Sequence, residues 1–178
     1  GYQAGTVSSA DFSGFYVSTL AGRTPAGWEP LRQAFLGTCV APRIPADAQA
    51  LVRRHLDEGA TVVLTTATNR FITELTAAHL GIAHLIATEC ERDAQGVFTG
   101  RPTGVLNMRE GKVERLRAWL AARGQDADAA LASALFYSDS RNDLPLLRAV
   151  GRPVAVDPDA QLLAEAQAAG WPALRFAR

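Results

Sequence analysis

Hydrophobic residues recur at helical spacing through the first third of the chain, with prolines and glycines between the segments. A first helix is predicted to begin at Ser8 or Ser9, either of which can cap it. A second is predicted to begin at Thr24-Pro25, because proline is tolerated in the first turn. A third helix is predicted over residues 47–58. The start of the chain is therefore expected to be helical.

From residue 61 onward, short apolar or β-branched runs alternate with stretches of helical periodicity. The alternation predicts an α/β fold with a Rossmann-like, doubly wound parallel sheet. An antiparallel hairpin is predicted over residues 89–100, and a short surface helix or loop over 127–134. The predicted strands lie at 61–65, 84–87, 135–137, 153–156 and 172–176, and the predicted helices at 71–80, 111–123, 144–150 and from Asp157-Pro158 onward.

Length and composition narrow the class of protein. The 178 residues, 48% of them hydrophobic, suit one domain or a core with a small accessory unit. Eighteen basic residues balance eighteen acidic ones without a basic stripe, which argues against nucleic acid as a partner. The two cysteines have no metal-ligand spacing. No apolar run is long enough to cross a membrane and no signal peptide is visible, so a cytoplasmic protein without a membrane partner is predicted.

Hydroxyl groups and backbone amides follow the first predicted strand, in the Thr-Thr-Ala-Thr-Asn stretch at 65–69. Such a stretch, just before a helix N-terminus, can hold an anion. The alternative is that Thr68 or Asn69 only caps the helix. A second candidate is Lys112, whose charge at the start of the helix over 111–123 opposes the helix dipole. Its alternative is an ordinary solvated lysine.

Two carboxylates, Asp139 and Asp143, follow the predicted strand at 135–137. Open α/β sheets bind ligands beyond the carboxyl ends of their strands, and one or two carboxylates with water suffice for Mg²⁺. The alternative is a helix N-terminus in which Asp139 and Ser140 cap and Asp143 favours the dipole. Hydroxyl, lysine and paired acids, in that order along the chain, could bind a phosphate, neutralise its charge and hold its metal.

These three stretches resemble motifs of the haloacid dehalogenase (HAD) superfamily of phosphohydrolases, in the branch that contains phosphoserine phosphatase and carries a small helical cap. Residues 62–68 resemble the second motif, with its hydroxyl on Thr66 and with Thr65 as the alternative. Gly111-Lys112-Val113 resembles the third motif, and residues 137–143, Tyr-Ser-Asp-Ser-Arg-Asn-Asp, resemble the fourth. The resemblance implies that residues 1–44 belong to the cap and 45–178 to the HAD-like core.

The resemblance also implies a role for each matching residue. Those expected to bind the substrate phosphate are Thr66, Ala67, Lys112 and Asn142. Asp139 and Asp143 are expected to hold Mg²⁺, and Thr66, Lys112 and Asp143 to act in catalysis, Asp143 by orienting Lys112 or a metal-bound water. The implied partner is a small phosphorylated metabolite, such as phosphoserine or histidinol phosphate. A non-catalytic HAD-like module that binds a phosphorylated ligand or partner is the alternative.

One motif of the family is not found. The first motif, D-x-D-x-T/V, supplies the aspartate nucleophile, and the acid nearest the start of this sequence, Asp11, lies in a helical pattern instead. We expect that an N-terminal segment bearing the nucleophile and the central strand of the sheet precedes these residues in the natural protein. The 178 residues alone are then expected to be inactive, because the neighbouring strands would have unpaired backbone groups.

Overall fold

The structure is a computed structural model that describes the backbone of residues 9–176 and the side chains of residues 14–176. Its contacts divide the chain into two compact units, Gly1–Asn107 and Met108–Arg178, and each is described by itself. The predicted cap residue Ser8 lies outside the described residues. No helix in the described part of the chain is long and apolar enough to cross a membrane.

The first unit begins with helices and continues into a sheet. Its helices are α1 (Ser9–Ser18), α2 (Pro25–Phe35), α3 (Ala46–Asp57) and α4 (Arg70–His79), and its strands are β1 (Val63–Asn69), β2 (His84–Arg92) and β3 (Phe98–Thr103). The predicted start of α2 is confirmed, since the Thr24 hydroxyl accepts a hydrogen bond from the Gly27 N–H at 3.2 Å. Strand β1 pairs with β2 in parallel, and β2 pairs with β3 as the predicted antiparallel hairpin.

The second unit carries the remaining helices and a second sheet. Its helices are α5 (Glu110–Ala122), α6 (Ala127–Ser133), α7 (Leu144–Ala149) and α8 (Ala160–Ala169), and its strands are β4 (Leu135–Ser138), β5 (Arg152–Val156) and β6 (Ala173–Leu174). The three strands are parallel, in the order β4-β5-β6. Parallel strands separated by helices confirm the predicted α/β class.

Apolar side chains hold each unit together. In the first unit, Leu20, Phe71 and Phe98 form a buried cluster that joins the turn after α1 to α4 and β3. In the second unit, the apolar face of α5 packs against Leu131, Leu146 and Val150. The residues of that face are Val113, Leu116, Trp119 and Leu120. Leu131 also shows that α6 is not only a surface helix, because its side chain is buried.

The predicted start of the last helix is wrong. Helix α8 begins at Ala160, and its cap is Asp159, whose carboxylate accepts a hydrogen bond from the Leu162 N–H at 2.8 Å. Asp157 has a positive φ of 43°, and its carboxylate accepts a hydrogen bond from the Phe176 N–H instead. Its side chain is therefore used to hold the segment after β6, which the local sequence does not indicate.

Candidate active site

The strongest candidate chemistry in the second unit lies where β4 ends. The strand stops at Ser138, and a short 3-10 turn over Arg141–Asp143 leads directly into α7. Ser140 begins that turn, because its hydroxyl accepts a hydrogen bond from the Asn142 N–H at 3.2 Å and its carbonyl accepts one from the Asp143 N–H at 2.9 Å. Capping by Ser140 is therefore real, and it leaves the two carboxylates available for other uses.

Asp143 forms a buried ion pair with Lys112. The Lys112 Nζ lies 2.7 Å from Oδ1 and 2.8 Å from Oδ2 of Asp143, and the two side chains are only 7% and 10% exposed. The Ser138 hydroxyl donates a third hydrogen bond, to Oδ2 of Asp143 at 2.7 Å. The alternative of a solvated lysine is wrong. Burying two charges is costly even when they are paired, so this pair is weak evidence for stability and better evidence for a role in a site.

The ammonium group of Lys112 has one hydrogen to spare. A lysine has three donor hydrogens, and the two contacts with Asp143 account for two of them. Lys112 is also the only lysine among the 178 residues; the other 17 of the 18 basic residues are arginines. This count is a sequence signal that singles out Lys112, because the chain uses arginine at every other basic position. A compact ammonium group differs from the planar guanidinium group in shape and hydration.

Asp139 and Asn142 lie on the same turn and keep their side chains free. Asp139 is exposed, and within the part of the chain that the structure describes its carboxylate accepts no hydrogen bond and forms no ion pair. The half-buried Asn142 side chain likewise makes no hydrogen bond to any described residue. The turn therefore presents one unpaired carboxylate next to one that is fixed by a lysine and a serine.

The donor set of this turn fits a hard cation only in part. No group of three or more histidine, cysteine, aspartate or glutamate side chains among the described residues could hold a metal ion. Mg²⁺ does not need such a group, since it keeps several waters and takes one or two carboxylates. Asp139 meets that requirement, whereas both oxygens of Asp143 already accept hydrogen bonds.

Helix α5 begins in a strained way just before Lys112. Arg109, the residue before the helix, has φ 51° and ψ −123°, and no side chain caps the helix there. A positive φ is costly for a residue with a side chain, and such strained residues cluster at functional sites. The first turn of α5 is thus held in place at some cost in backbone energy.

The candidate anion-binding residues of the first unit lie where β1 ends. Side chains alternate along a strand, so the hydroxyls of Thr65 and Thr66 lie on opposite faces. The Thr66 hydroxyl accepts a hydrogen bond from the Thr68 N–H at 3.1 Å, which leaves its own hydrogen free to be donated. Asn69 caps α4, because its Oδ1 accepts a hydrogen bond from the Ile72 N–H at 3.0 Å. The predicted capping and an anion-binding role for Thr66 are therefore compatible.

The same strand end is held from inside by two residues that the sequence did not single out, Asn107 and Thr88. Both are completely buried. The Asn107 side-chain amide contacts Thr65 and Thr66, and the Thr88 hydroxyl donates a hydrogen bond to the Ala67 carbonyl at 2.9 Å. No local pattern could have indicated these contacts, since Asn107 is 41 positions along the chain from Thr66.

Two glutamates of β2 form ion pairs within the first unit. In the first unit, Arg70 forms a bidentate ion pair with Glu89 at 2.8–3.0 Å, and the hydrogen bond to Glu89 raises the pKa of Arg70. The Thr99 hydroxyl and Arg101 lower the pKa of Glu91. These pairs join neighbouring elements of the first unit, and the charge of Arg70, the residue directly after β1, is balanced by Glu89.

The sequence and the structure both resemble known proteins. A family model described as "haloacid dehalogenase-like hydrolase" matches residues 2–148. A protein named histidinol-phosphatase from Neisseria meningitidis serogroup C is 37% identical over 175 residues, which cover 98% of this chain and 78% of that protein. A protein named phosphoserine phosphatase from Mycobacterium tuberculosis is 34% identical over 155 residues, which cover 87% of this chain and 49% of its own length.

A solved structure extends these similarities to the fold. The crystal structure of a protein of unknown function from Bordetella pertussis Tohama I matches with a TM-score of 0.91 and 39% sequence identity. The match covers 97% of this chain and 77% of that one. The described architecture therefore occurs in a protein whose structure has been determined.

Proposed function

Because the chain belongs to the haloacid dehalogenase-like hydrolase family, in its phosphatase branch, we propose that it forms most of the active site of a Mg²⁺-dependent phosphatase. Its substrate is a small phosphomonoester of a metabolite in the cytoplasm. Histidinol phosphate is the first candidate and phosphoserine the second, after the names of the two relatives. In this proposal residues 1–44 contribute to the cap that contacts the leaving group, and 45–178 form the core.

The buried Lys112–Asp143 pair is the observation that carries the proposal. Asp143 and Ser138 fix the Lys112 ammonium group, and its remaining hydrogen is available for a phosphoryl oxygen. A fixed positive charge in a water-poor site stabilises the negative charge of a phosphoryl group far better than a mobile one in water. In this proposal Asp143 positions Lys112. It binds the metal only through a carboxylate lone pair that accepts no hydrogen bond.

The remaining roles follow from which side chains have free donors or acceptors. The exposed carboxylate of Asp139 holds Mg²⁺, which when bound offsets the charge of the phosphoryl oxygens. Thr66 donates its free hydroxyl hydrogen to the phosphate, and the Ala67 backbone lies beside it. The Asn142 amide, which has no other described partner, contacts the phosphate or the leaving group.

The nucleophile of the proposed reaction is an aspartate of a D-x-D-x-T/V motif, which the 178 residues do not contain. Its carboxylate attacks phosphorus, the bond from phosphorus to the leaving oxygen breaks, and the leaving oxygen takes up a proton. Water then cleaves the aspartyl-phosphate and releases phosphate. The gene sequence upstream of the codons for these residues tests the source of the nucleophile, because the motif is either encoded there or absent.

Hydrolysis by the full-length protein is the main test. We expect turnover of histidinol phosphate or an aryl phosphate that requires Mg²⁺ and that falls by about 100-fold or more in Lys112→Ala and Asp139→Asn. The matched controls are Arg117→Ala and Asp128→Asn, which break an exposed ion pair of the same unit and should change turnover little. Equal activity in all four variants would refute the assigned roles.

A binding readout separates a phosphatase from a non-catalytic module. Because Lys112 is the only lysine in this sequence, ¹⁵N-lysine labelling gives a ζ-nitrogen signal that Lys112→Arg identifies by its loss. We expect inorganic phosphate with Mg²⁺ to shift that signal. A shift without any hydrolysis by the full-length protein would favour the binding module, and neither a shift nor hydrolysis would contradict both functions.

A further inference from the structure

We propose that Asn107 is a positioning residue, which holds the turn after β1 in the geometry that phosphate recognition by Thr66 requires. The proposal rests on the phosphatase function proposed above. It concerns only the first unit, to which Asn107 and all its described contacts belong.

The Asn107 side chain ties the ends of two neighbouring strands together. Its Nδ2 lies 3.0 Å from the Thr65 Oγ1, 2.8 Å from the Thr66 carbonyl oxygen and 2.8 Å from the Ile86 carbonyl oxygen. The first two acceptors belong to β1 and the third to β2. An amide nitrogen has two hydrogens, so one of them is shared between two acceptors. A single buried group thus fixes the spacing of the two strands at the point where β1 ends.

The contacts of Asn107 lie just before a break in the pairing of β1 with β2. The parallel register runs regularly up to the pair Thr66–Ala87 and then shifts, so that the next pair is Asn69–Thr88. Two residues of β1 therefore have no pairing partner on β2, as in a β-bulge. Buried carbonyl groups need a donor, and the amide of Asn107 supplies one to Thr66.

Thr88 extends the same network by one residue. Its hydroxyl donates to the Ala67 carbonyl at 2.9 Å and accepts from the Asn107 N–H at 3.3 Å. The carbonyls of Thr66 and Ala67 are thereby both turned toward buried donors. In a trans peptide the N–H points opposite to the carbonyl, so the amides of Ala67 and Thr68 are directed away from that interior. Asn107 and Thr88 thus decide which way the turn presents its amides and, through the Thr68 N–H, the Thr66 hydroxyl.

The oxygen of the Asn107 side chain is a cost that accompanies the hydrogen bonds donated by its nitrogen. Its Oδ1 is buried and has no hydrogen-bond partner among the described residues. An unsatisfied buried acceptor costs free energy, and an apolar side chain of similar size would avoid that cost but would take a donor away from Thr65, Thr66 and Ile86. The side-chain N–H groups of Asn107 thus hold the turn after β1, whereas its side-chain oxygen has no partner among the described residues.

The test compares two buried polar residues that contact the turn with one that does not. Asn107→Leu and Thr88→Val remove donors to the turn, whereas the control Thr73→Val removes a buried hydroxyl that bonds the Asn69 carbonyl at 2.9 Å, within the first turn of α4. Each is made in the full-length protein, alone and together with Thr66→Val. The measurements are kcat and KM for the phosphate ester, and inhibition by inorganic phosphate, at a temperature where circular dichroism shows each variant folded.

We expect Asn107→Leu and Thr88→Val to lower kcat/KM by about 100-fold, since misplacement by about 1 Å near a reacting group has that effect. In the Thr66→Val background the same changes should cost less than about threefold, because the group that they position is already absent. Thr73→Val should leave kcat/KM unchanged in both backgrounds. Inhibition by inorganic phosphate should weaken in parallel with kcat/KM.

Four results would overturn the proposal. Losses that multiply across the Thr66→Val background would show that Asn107 does not act through Thr66. A fall in thermal stability with unchanged kcat/KM would show a purely structural role; if Asn107→Leu does not fold, Thr88→Val decides on the same criteria. Absence of both hydrolysis and phosphate inhibition in the unaltered protein would remove the proposed function and this role with it, whereas activity that depends on Thr66 but not on Asn107 or Thr88 would remove only this role.

Discussion

The ends of β1 and β4 carry the two groups of residues assigned to the phosphate, and they are built from opposite chemistry. At β1, buried amides and hydroxyls hold the turn, and the charged side chain that follows it, Arg70, is paired with Glu89. At β4, a lysine, an aspartate and a serine hold one another, and the charges are buried with them. A network of neutral hydrogen bonds orients the backbone without adding charge, whereas an ion pair holds a charged group in place. The first suits a hydrogen-bond donor to phosphate and the second suits a counter-charge.

Removing the positive charge of Lys112, which pairs with Asp143 after the end of β4, is expected to have the largest effect on stability. Lys112→Met leaves Asp143 buried without its partner, which should lower the free energy of unfolding by about 3–5 kcal/mol. The double variant Lys112→Met/Asp143→Leu removes both charges and should recover much of that loss, because an apolar pair can replace a buried ion pair. Urea unfolding measures both. Hydrolysis should be absent from both, since the charge is missing in each.

The recovery is the informative part of that experiment. A double variant no more stable than Lys112→Met would show that the pair contributes net stability, and the argument that it is kept for function would fail. Arg117→Ala serves as the control, since its exposed pair with Asp128 should be worth less than about 1 kcal/mol.

Exchanging acid and amide at the two strand ends tests the contrast directly. Asp143→Asn keeps the shape but leaves Lys112 buried and unpaired, so stability should again fall by about 3–5 kcal/mol. Asn69→Asp makes the reverse exchange at the start of α4, where the side-chain oxygen caps Ile72 and the nitrogen has no partner among the described residues. Asn69 is only 2% exposed, so this exchange also buries a carboxylate oxygen without a partner and should lower stability, but by less than Asp143→Asn, because the cap is kept and the helix dipole favours an acid there.

Urea unfolding of the two variants side by side gives the answer. Losses of similar size would mean that burial alone, and not the ion pair, determines how each position responds to the exchange. The contrast between a neutral and a charged strand end would then be a matter of composition without energetic consequence.

The same contrast explains what the sequence could and could not predict. The end of β4 was predictable because its acids stand within seven residues, 137–143, after a short apolar run, and local order survives in the fold. Lys112 was a weak signal by position alone. Its partner Asp143 is 31 positions along the chain, and only folding shows that the two share one buried contact.

The end of β1 was predictable only in its hydroxyl groups. Thr66 and Asn69 follow a β-branched run, but the residues that aim the turn, Thr88 and Asn107, come from a neighbouring strand and from a loop. Asparagine and threonine are common in loops and strands, so nothing in their spacing marked them. The false start of α8 has a related cause, since Asp157 is used for a contact with Phe176 that is remote in sequence.

The smallest expected effect concerns the one partly buried thiol of the first unit. Burial, with a smaller contribution from Glu89, raises the pKa of Cys90 to about 11. Cys90 packs beside Phe71 and Phe98, whereas Cys39 is exposed. Alkylation requires the thiolate, so iodoacetamide at pH 8 should modify Cys39 and leave Cys90 largely unmodified, as peptide mass spectrometry can measure.

The raised pKa of Cys90 also determines how stability and alkylation change with pH. A raised pKa means that the folded protein keeps the Cys90 proton after the unfolded chain, with an ordinary thiol pKa of about 8.5, has lost it. Stability is therefore unaffected below that value and falls as the pH rises toward 11, while Cys90 alkylation accelerates over the same interval. A Cys39→Ser variant allows the alkylation rate of Cys90 to be measured by itself. Rapid modification of Cys90 at pH 8 in folded protein would contradict the raised pKa, because it would show that the thiolate forms in spite of burial.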